Sequence, residues 1–544
     1  MHSSPRPAIV IAMVSLLASL GALSGSAFGA VAAHERNGVA SAISSRAEKS
    51  ATAGCPSGKQ LVGAGGNKSA AAAGQVGLTA ITPHINPGEV FVIGREDESG
   101  FAGNWGLTAY AICAAPPPGL QRIAATSASN STNKGVTATC PTGKKVLGAA
   151  GQITPATGQV SLAAIRPNST LTSVTVIGAE DGTGFGGSWS VTAYAICANP
   201  PAGLQRIVAT SASNSSAKDA TATCPAGKGV VGTGGEITGG AGQVTLEILA
   251  PSPADGTGGV YALAFEDDTG FAGNWRVTAY AICAAVSKRV VAQSATNSSN
   301  KGLFAQCPGS LRTTGVGGDI TGSPGQVPLV YVGPTDATAT KASAGGAEDE
   351  TGFSGNWFVR AYAICATPLS GLEIVAIQSP TGSGSFDSVQ AFCPAGKKLV
   401  GAGGDVGGFG QVVLDGVIPF PTLGGVTARA EEDPNGYAGT WFVRAWAICA
   451  TPPPGLQLVS VHSGSSSSNK SVTATCPAGK NLLGAGGHIT DGSAAEPANG
   501  KVVLDDVRPD ALLRSVTVTG LAAETGGGVS DIFSVAAHAI CANT

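Results

Sequence analysis

Charge of either sign is scarce in this chain. Asp, Glu, Lys and Arg together make up 12% of its 544 residues, and the formal net charge is −3. So little field excludes electrostatic capture of nucleic acid or of an anionic membrane as an organising principle. Aromatic residues are also few, at 5%. There is no C-x-x-C, and the six His residues, one of them His2 near the start, stand at unrelated positions. Clustered thiolate and imidazole ligands, which a zinc site needs, are therefore not expected. No G-x-S-x-G occurs and no Ser/His/Asp set recurs, which removes the common hydrolase patterns. Gly58-Lys59 lacks the preceding glycine and the following Ser or Thr of a phosphate loop. Gly63-Ala64-Gly65-Gly66 has no following helix and is no dinucleotide fingerprint. No cofactor is expected, and the chain reads as a non-enzyme.

Long apolar runs are absent after the first one. Arg6 is the only charged residue among the first 32, an apolar stretch runs from Ala8 to Leu23, and an A-x-A pattern stands at Ala30-Val31-Ala32. This is the order of a secretory signal peptide, with cleavage expected near Gly29 or Ala32. Loss of Arg6 takes the net charge from −3 to −4. The expected product is secreted, extracellular and free of the membrane once residues 1–32 are gone.

What is present in excess is glycine, 80 residues, alongside a hydrophobic share of 43%. That combination suits many short strands and tight turns. It is arranged as a repeat. CP-x-GK occurs at Cys55, Cys140, Cys224, Cys393 and Cys476, with a degenerate copy at Cys307, and AICA surrounds Cys113, Cys197, Cys283, Cys365, Cys449 and Cys541. Successive first-type cysteines are 85, 84, 83, 86 and 83 residues apart. The boundaries this predicts are 33–115, 116–199, 200–285, 286–367, 368–451 and 452–544, modules 1 to 6 below.

Each module reads as about six strands with no helix. In module 5, Trp441, Val443, Ala445, Ala447 and Cys449 share one face, and Phe442, Arg444, Trp446 and Ile448 the other, the period of a strand. The expected fold is all-β: six tandem small antiparallel β-sandwich or barrel-like modules. An even cysteine count in alternating contexts predicts one bridge per module: Cys55–Cys113, Cys140–Cys197, Cys224–Cys283, Cys307–Cys365, Cys393–Cys449 and Cys476–Cys541. Each would add roughly 4 kcal/mol in the chain-entropy view. Proline-rich linkers such as Ala115-Pro116-Pro117-Pro118-Gly119 predict a stiff string of modules, with a closed six-bladed ring as the alternative.

One loop recurs almost word for word before the Trp strand. It carries Glu96, Asp97, Phe101, Asn104 and Trp105 in module 1; Glu180, Asp181, Phe185 and Trp189 in module 2; and Glu266, Asp267, Phe271, Asn274 and Trp275 in module 3. Module 4 has Glu348, Asp349, Phe353, Asn356 and Trp357, and module 5 has Glu432, Asp433, Tyr437 and Trp441. Module 6 keeps Glu524 but has Thr525, Val529 and Phe533. Carboxylates beside an aromatic and an amide suit a weak carbohydrate site. A carboxylate pair also suits Ca²⁺, though the D-x-[DN]-x-[DN]-G spacing is missing. The same residues equally make a hairpin turn leading into a core Trp. Asn130, Asn214 and Asn297 stand in N-S-S/T strings and read as polar turns.

The CP-x-GK, G-x-W and YAICA strings resemble uncharacterised repeat modules of exported bacterial proteins, and the resemblance covers nearly all of the mature chain. It implies location and fold class and carries no activity. The expected function is therefore a secreted multivalent binding protein or an extracellular structural protein, whose partner would be a glycan or cell-surface component. A ligand-free spacer is the alternative. A glycan-active hydrolase is a further one, because paired carboxylates serve glycosidases, but active sites are usually built once and not six times.

Overall fold

The computed structural model describes residues 30–69, 74–86, 88–155, 158–225, 228–240, 242–252, 258–323, 325–408, 410–491, 500–522 and 532–543. The signal segment over residues 1–29, and Glu524, Thr525 and Val529, lie outside the described residues. Among those described there are 36 strands and no helix. Module 1 contributes β1 (Glu35–Ala40), β2 (Glu48–Gly54), β3 (Gln60–Ser69), β4 (Val76–His84), β5 (Glu89–Glu96) and β6 (Gly106–Ala114), and each later module repeats the set. The all-β expectation is borne out.

Within a module, the strands form two three-stranded antiparallel layers, ordered β1-β6-β3 and β2-β5-β4. They face each other across a core of Trp105, Leu78, Val92 and Leu107, all buried. Trp105 lies against Gly94 of β5, where a side chain would meet the indole at 3.2 Å. The disulfide joins the end of β2 to β6, one strand from each layer, and all six bridges pair as expected.

The modules do not form a string, nor a single ring of six. Each layer continues edge to edge into a neighbour, so every sheet has six strands drawn from two modules. β4 pairs with the third strand of module 2 (Lys145–Thr154) through Ala80↔Gln152 and Ile81↔Gly151. The fourth strand of module 2 (Val160–Pro167) pairs with the third of module 3 (Lys228–Thr238). The fourth strand of module 3 (Val244–Ser252) returns to β3 through Leu249↔Gly66. Modules 1–3 thus close into a triad, and modules 4–6 repeat the closure. Two separate rings of three replace the expected string.

Glycine makes closure possible. The third strand of each module carries a bulge, skipping Val62, Leu147 and Val231 in the first triad. The carbonyl of each skipped residue points at a glycine of the next module. A Cβ on Gly148 would lie 2.4 Å from Val62 O, one on Gly232 2.0 Å from Leu147 O, and one on Gly63 2.1 Å from Val231 O. The three contacts form a cycle around a pseudo-threefold axis, and Gly315, Gly401 and Gly484 form the second. These are the first glycines of the recurrent G-x-G-G or its variants, and only a residue without Cβ fits there.

The two triads meet at their disulfide ends. Val31 pairs with Val286 at the boundary of modules 3 and 4, and Ala115 N donates to Ala32 O. Leu512 of module 6 packs on Ala32, Ala33 and Ala115. Val31 to His34 are buried there. The Glu-Asp loops stand at the other end of the nine-residue β6, about 30 Å away at the usual rise of a strand.

Candidate functional site

The recurrent loop follows β5, whose last residue is Glu96. Asp97 Oδ1 accepts hydrogen bonds from Ser99 N (3.1 Å), Ser99 Oγ (2.7 Å) and Gly100 N (3.0 Å), closing a tight turn. Gly100 sits at φ +72°, a conformation that excludes most other residues. The turn recurs on Asp181, Asp267, Asp349 and Asp433.

The Glu carboxylate faces inward. Glu96 Oε1 accepts from Trp105 Nε1 at 2.8 Å, and its Oε2 accepts from Phe101 N at 3.2 Å. The Trp bond is 2.6 Å in Glu180–Trp189, 2.6 Å in Glu266–Trp275, 2.7 Å in Glu348–Trp357 and 3.0 Å in Glu432–Trp441. A buried indole N–H needs an acceptor, and the constant offset of nine residues supplies one. Trp105, Trp189, Trp275 and Trp357 are 0% exposed and Trp441 is 3% exposed. None of the five presents a face on which a sugar could stack. Phe101, Phe185, Phe271, Phe353 and Tyr437 are half-buried against the core. Each lies over the second glycine of its loop, with Phe101 atoms 2.5 Å from a Cβ built on Gly103. Asn104, Asn274 and Asn356 are exposed. Asn130, Asn214 and Asn297 bridge to the Trp strands, and Asn130 Oδ1 accepts from Thr132 N in a polar turn.

A lysine missed in the sequence completes the arrangement. Lys134, Lys218 and Lys301 stand 3.4, 3.7 and 3.4 Å from the centroids of Trp189, Trp275 and Trp357. Lys49 is 5.0 Å from Trp105, and Lys470 is 3.7 Å from Phe533. Burial lowers the pKa of Lys134, opposed by the charge of Glu180. The signal was available: a Lys recurs six residues before the first cysteine, with Asp387 in its place in module 5.

The topology brings the loop tips of three modules together. Gly158 of the G-Q-V string lies against the Glu96 carbonyl (1.9 Å to an added Cβ), Gly242 against that of Glu180 (1.6 Å), and Gly74 against that of Glu266 (1.8 Å). At the outer end of the first axis, Asp97, Asp181 and Asp267 line one cavity with Glu98, Asp268, Ser161 and Thr245. At the second, Asp349 and Asp433 line a recess over Pro328, Val413 and Val503. Five of the sequence-selected carboxylates therefore converge, while their Glu and Trp neighbours point into the cores.

Three of the six histidines, expected to be unrelated, meet in module 6. His488 Nδ1 is 2.9 Å from His538 Nε2, His538 Nδ1 is 2.8 Å from Ser460 Oγ, and the His462 ring stands 6.0 Å from that of His488. Burial lowers His488 to about 3 and His538 to about 4, and the other imidazoles push in the same direction. The pair occupies positions held by Gln152 and Tyr194 in module 2 and by Glu236 and Tyr280 in module 3. Spacings of 26 and 50 residues hid it. Among the described residues, no helix is long and apolar enough to cross a membrane. No protein-family model matches the chain, and no curated protein matches it.

Proposed function

We propose that the chain is an exported structural protein in which the repeat serves rigidity, the ligand-free alternative among the readings of the sequence. The observation that carries this is the Glu–Trp hydrogen bond, present in five modules. The Glu and Trp side chains that would recognise a glycan are committed to holding the core. Six disulfides fit an oxidising compartment, which supports export. The test replaces Phe101, Phe185, Phe271, Phe353 and Tyr437 together by Ala. Half-buried rings should cost about 2 kcal/mol each, below the full-burial range, so the melting temperature should fall sharply. Wild-type protein on a glycan array should show no binding that depends on these rings. An unchanged melting curve with lost glycan binding overturns the proposal in favour of a multivalent lectin.

A second reading has one observation of its own. Trp446 is the sixth Trp and is not in a core. With Tyr331 and Arg444 it lines a shallow depression of about 370 Å³ on the sheet shared by modules 4 and 5. A half-buried Trp beside Tyr331 and Arg444 suits a single polysaccharide contact. Glycan binding abolished by Trp446→Ala, with the five loop rings intact, would support it.

A further inference from the structure

The outer face of the sheet shared by modules 4 and 5 departs from the repeat. Across it run the second, fifth and fourth strands of module 4, then the third, sixth and first of module 5. On the sixth strand, Trp446 takes the place of Tyr110, Tyr194, Tyr280 and Tyr362. An Arg of the opening strand lies 4.7 to 5.2 Å from the ring centroid of each of those tyrosines. Module 5 has Ile374 in the Arg position, so its larger ring has no guanidinium over it from the opening strand. Arg444 stands 5.5 Å from the indole centroid, two residues along the same strand. The indole is half-buried, where Tyr194, Tyr280 and Tyr362 are 3 to 8% exposed. Phe304, on the second strand of module 4, is 49% exposed. It stands where modules 1, 2, 3 and 6 have Thr52, Thr137, Thr221 and Thr473.

Between the two rings, side chains are missing. Gly333 replaces Thr82, Arg166 and Ala250 of the first triad, and Gly345 replaces Ile93, Ile177 and Leu263. The register sets what remains in two rows across the strands. Phe304, Ser343, Gly333, Gly403 and Trp446 make one. Its two aromatics have their Cα atoms four strand spacings, about 19 Å, apart. Tyr331, Asp405, Arg444 and Gln378 make the other. The indole reaches along its own row, so that a Cβ on Gly333 would lie 3.1 Å from Trp446 Cδ1. The second row is a string of donors and acceptors. Trp446 Nε1 donates to Asp405 Oδ1 at 2.6 Å, and Arg444 lies 3.5 Å from Asp405 Oδ2 and donates to Gln378 Oε1 at 2.6 Å. At the far end, Lys341 Nζ stands 4.3 Å from the Phe304 centroid and adds a donor there.

We infer that this face binds a linear, uncharged polysaccharide laid across the strands, from Trp446 at one end to Phe304 at the other, with Asp405, Arg444 and Gln378 meeting its hydroxyls along one side. The inference rests on the Trp446 reading above and extends it from a single contact to a site several sugars long. Sugar rings present apolar C–H faces and hydroxyl edges, so they call for aromatic surface and hydrogen-bonding groups side by side, which is what the two rows supply. A protein partner would need an apolar interface core, and here Ser343 and the glycines hold the rings apart. The Arg444–Asp405 pair is balanced within its row, which favours an uncharged chain over an anionic one. The matching sheet of modules 1 and 2 is the natural control. There Thr52, Thr82 and the Arg122-covered Tyr194 stand in the places of Phe304, Gly333 and Trp446, leaving neither end of the row an uncovered ring.

The experiment runs the mature protein in affinity gels containing hydroxyethylcellulose, galactomannan or laminarin. The polymer that retards it is then followed by calorimetry with its disaccharide, tetrasaccharide and hexasaccharide. Affinity should rise with length. Phe304→Thr, which installs the residue of four other modules, should weaken the hexasaccharide roughly tenfold and leave the disaccharide unchanged. Trp446→Ala should abolish retardation. Ile374→Arg/Trp446→Tyr, which installs the covered ring of modules 1 to 4, should melt as wild type does and bind no polymer. If the Trp446 variants lose binding while Phe304→Thr holds the hexasaccharide as tightly as wild type, the extended site is overturned and the single contact stands. Retained binding in Ile374→Arg/Trp446→Tyr, or no retardation in any of the gels, would overturn both.

Discussion

The two triads share one backbone plan and the Asp turns and Glu–Trp bonds of their loops, and differ in the polar contacts between modules. Both close through three glycines on the axis. In the first, the opening strand of every module sends an Arg across to the preceding module: Arg36 to Pro251 O at 2.7 Å, Arg122 to Pro83 O at 2.8 Å and Arg206 to Pro167 O at 2.7 Å. Each guanidinium also covers a Tyr, namely Tyr110, Tyr194 and Tyr280. In the second triad only Arg289 does this, reaching Pro509 O at 2.6 Å. Ile374 and Leu458 stand in the other two places. The buried ion pair Arg429–Asp415, at 2.9 Å, and the histidine pair belong to the second triad, while the first buries Lys68–Glu247 at 2.7 Å between modules 1 and 3. The difference teaches that closure depends on the absence of a side chain at the axis, whereas the polar clasps are interchangeable reinforcements.

The comparison can be broken most severely by removing a module. Deleting residues 452–544 takes away the sheet partners of modules 4 and 5. The second triad's melting transition should vanish while the first persists. A five-module protein that kept both transitions would show that modules stand alone. Next in size is Gly148→Val. Its Cβ would sit 2.4 Å from Val62 O and 2.9 Å from Gly63 Cα, and overpacking against backbone should cost about 3 kcal/mol or more. Only the first triad's transition should fall, as read by calorimetry.

Acid separates the triads more gently. Unfolded histidines titrate near 6.5, while His488 and His538 are held at about 3 and about 4. The unfolded state therefore takes up protons first. This part of the stability is complete above about pH 6.5 and is lost as the pH falls towards 4. Carboxylates raised by burial, Asp415 among them, act in the opposite direction, so the useful measurement is a difference. His488→Gln/His538→Tyr, which installs the module 2 pair, should gain on wild type in the second transition as the pH drops from 7 to 4. A constant gap would refute the assignment. Smallest of all, Arg206→Ala should cost about 1 kcal/mol for a partly exposed charged bond and shift only the first transition.

How far these differences were legible depends on the range of the contact. The strands of module 5, its disulfide and the Trp face follow from alternation and spacing, because neighbours in sequence set them. Glycines inside a strand go with a bulge or a close backbone approach, and both are found at Gly63. Which strand makes the approach was not legible. Modules join through only two residue pairs, as at Ala80 and Ile81, and six near-identical copies offer each fourth strand several equivalent partners. The Glu-to-Trp offset was visible, but its use was not, since recognition and core support require the same atoms and differ only in whether Trp105 is covered. The axial carboxylates come from residues more than 80 positions apart, and no periodicity in one module points to the other two.

Closing the first triad joins Gly66 to Leu249, a separation of 183 residues (249 − 66), whereas Cys55 and Cys113 are 58 apart. The short loop closes at lower entropic cost and can form as soon as module 1 has emerged. The ring must wait for module 3. While the chain is being made there is thus an interval in which two sandwiches stand with the edges of β3 and of the module 2 fourth strand unpaired. Such edges are templates for association between chains. The yield of folded protein is then set by the race between arrival of the fourth strand of module 3 and collision with a second copy, and crowding at the exit site should depress it before any loss of thermodynamic stability is felt.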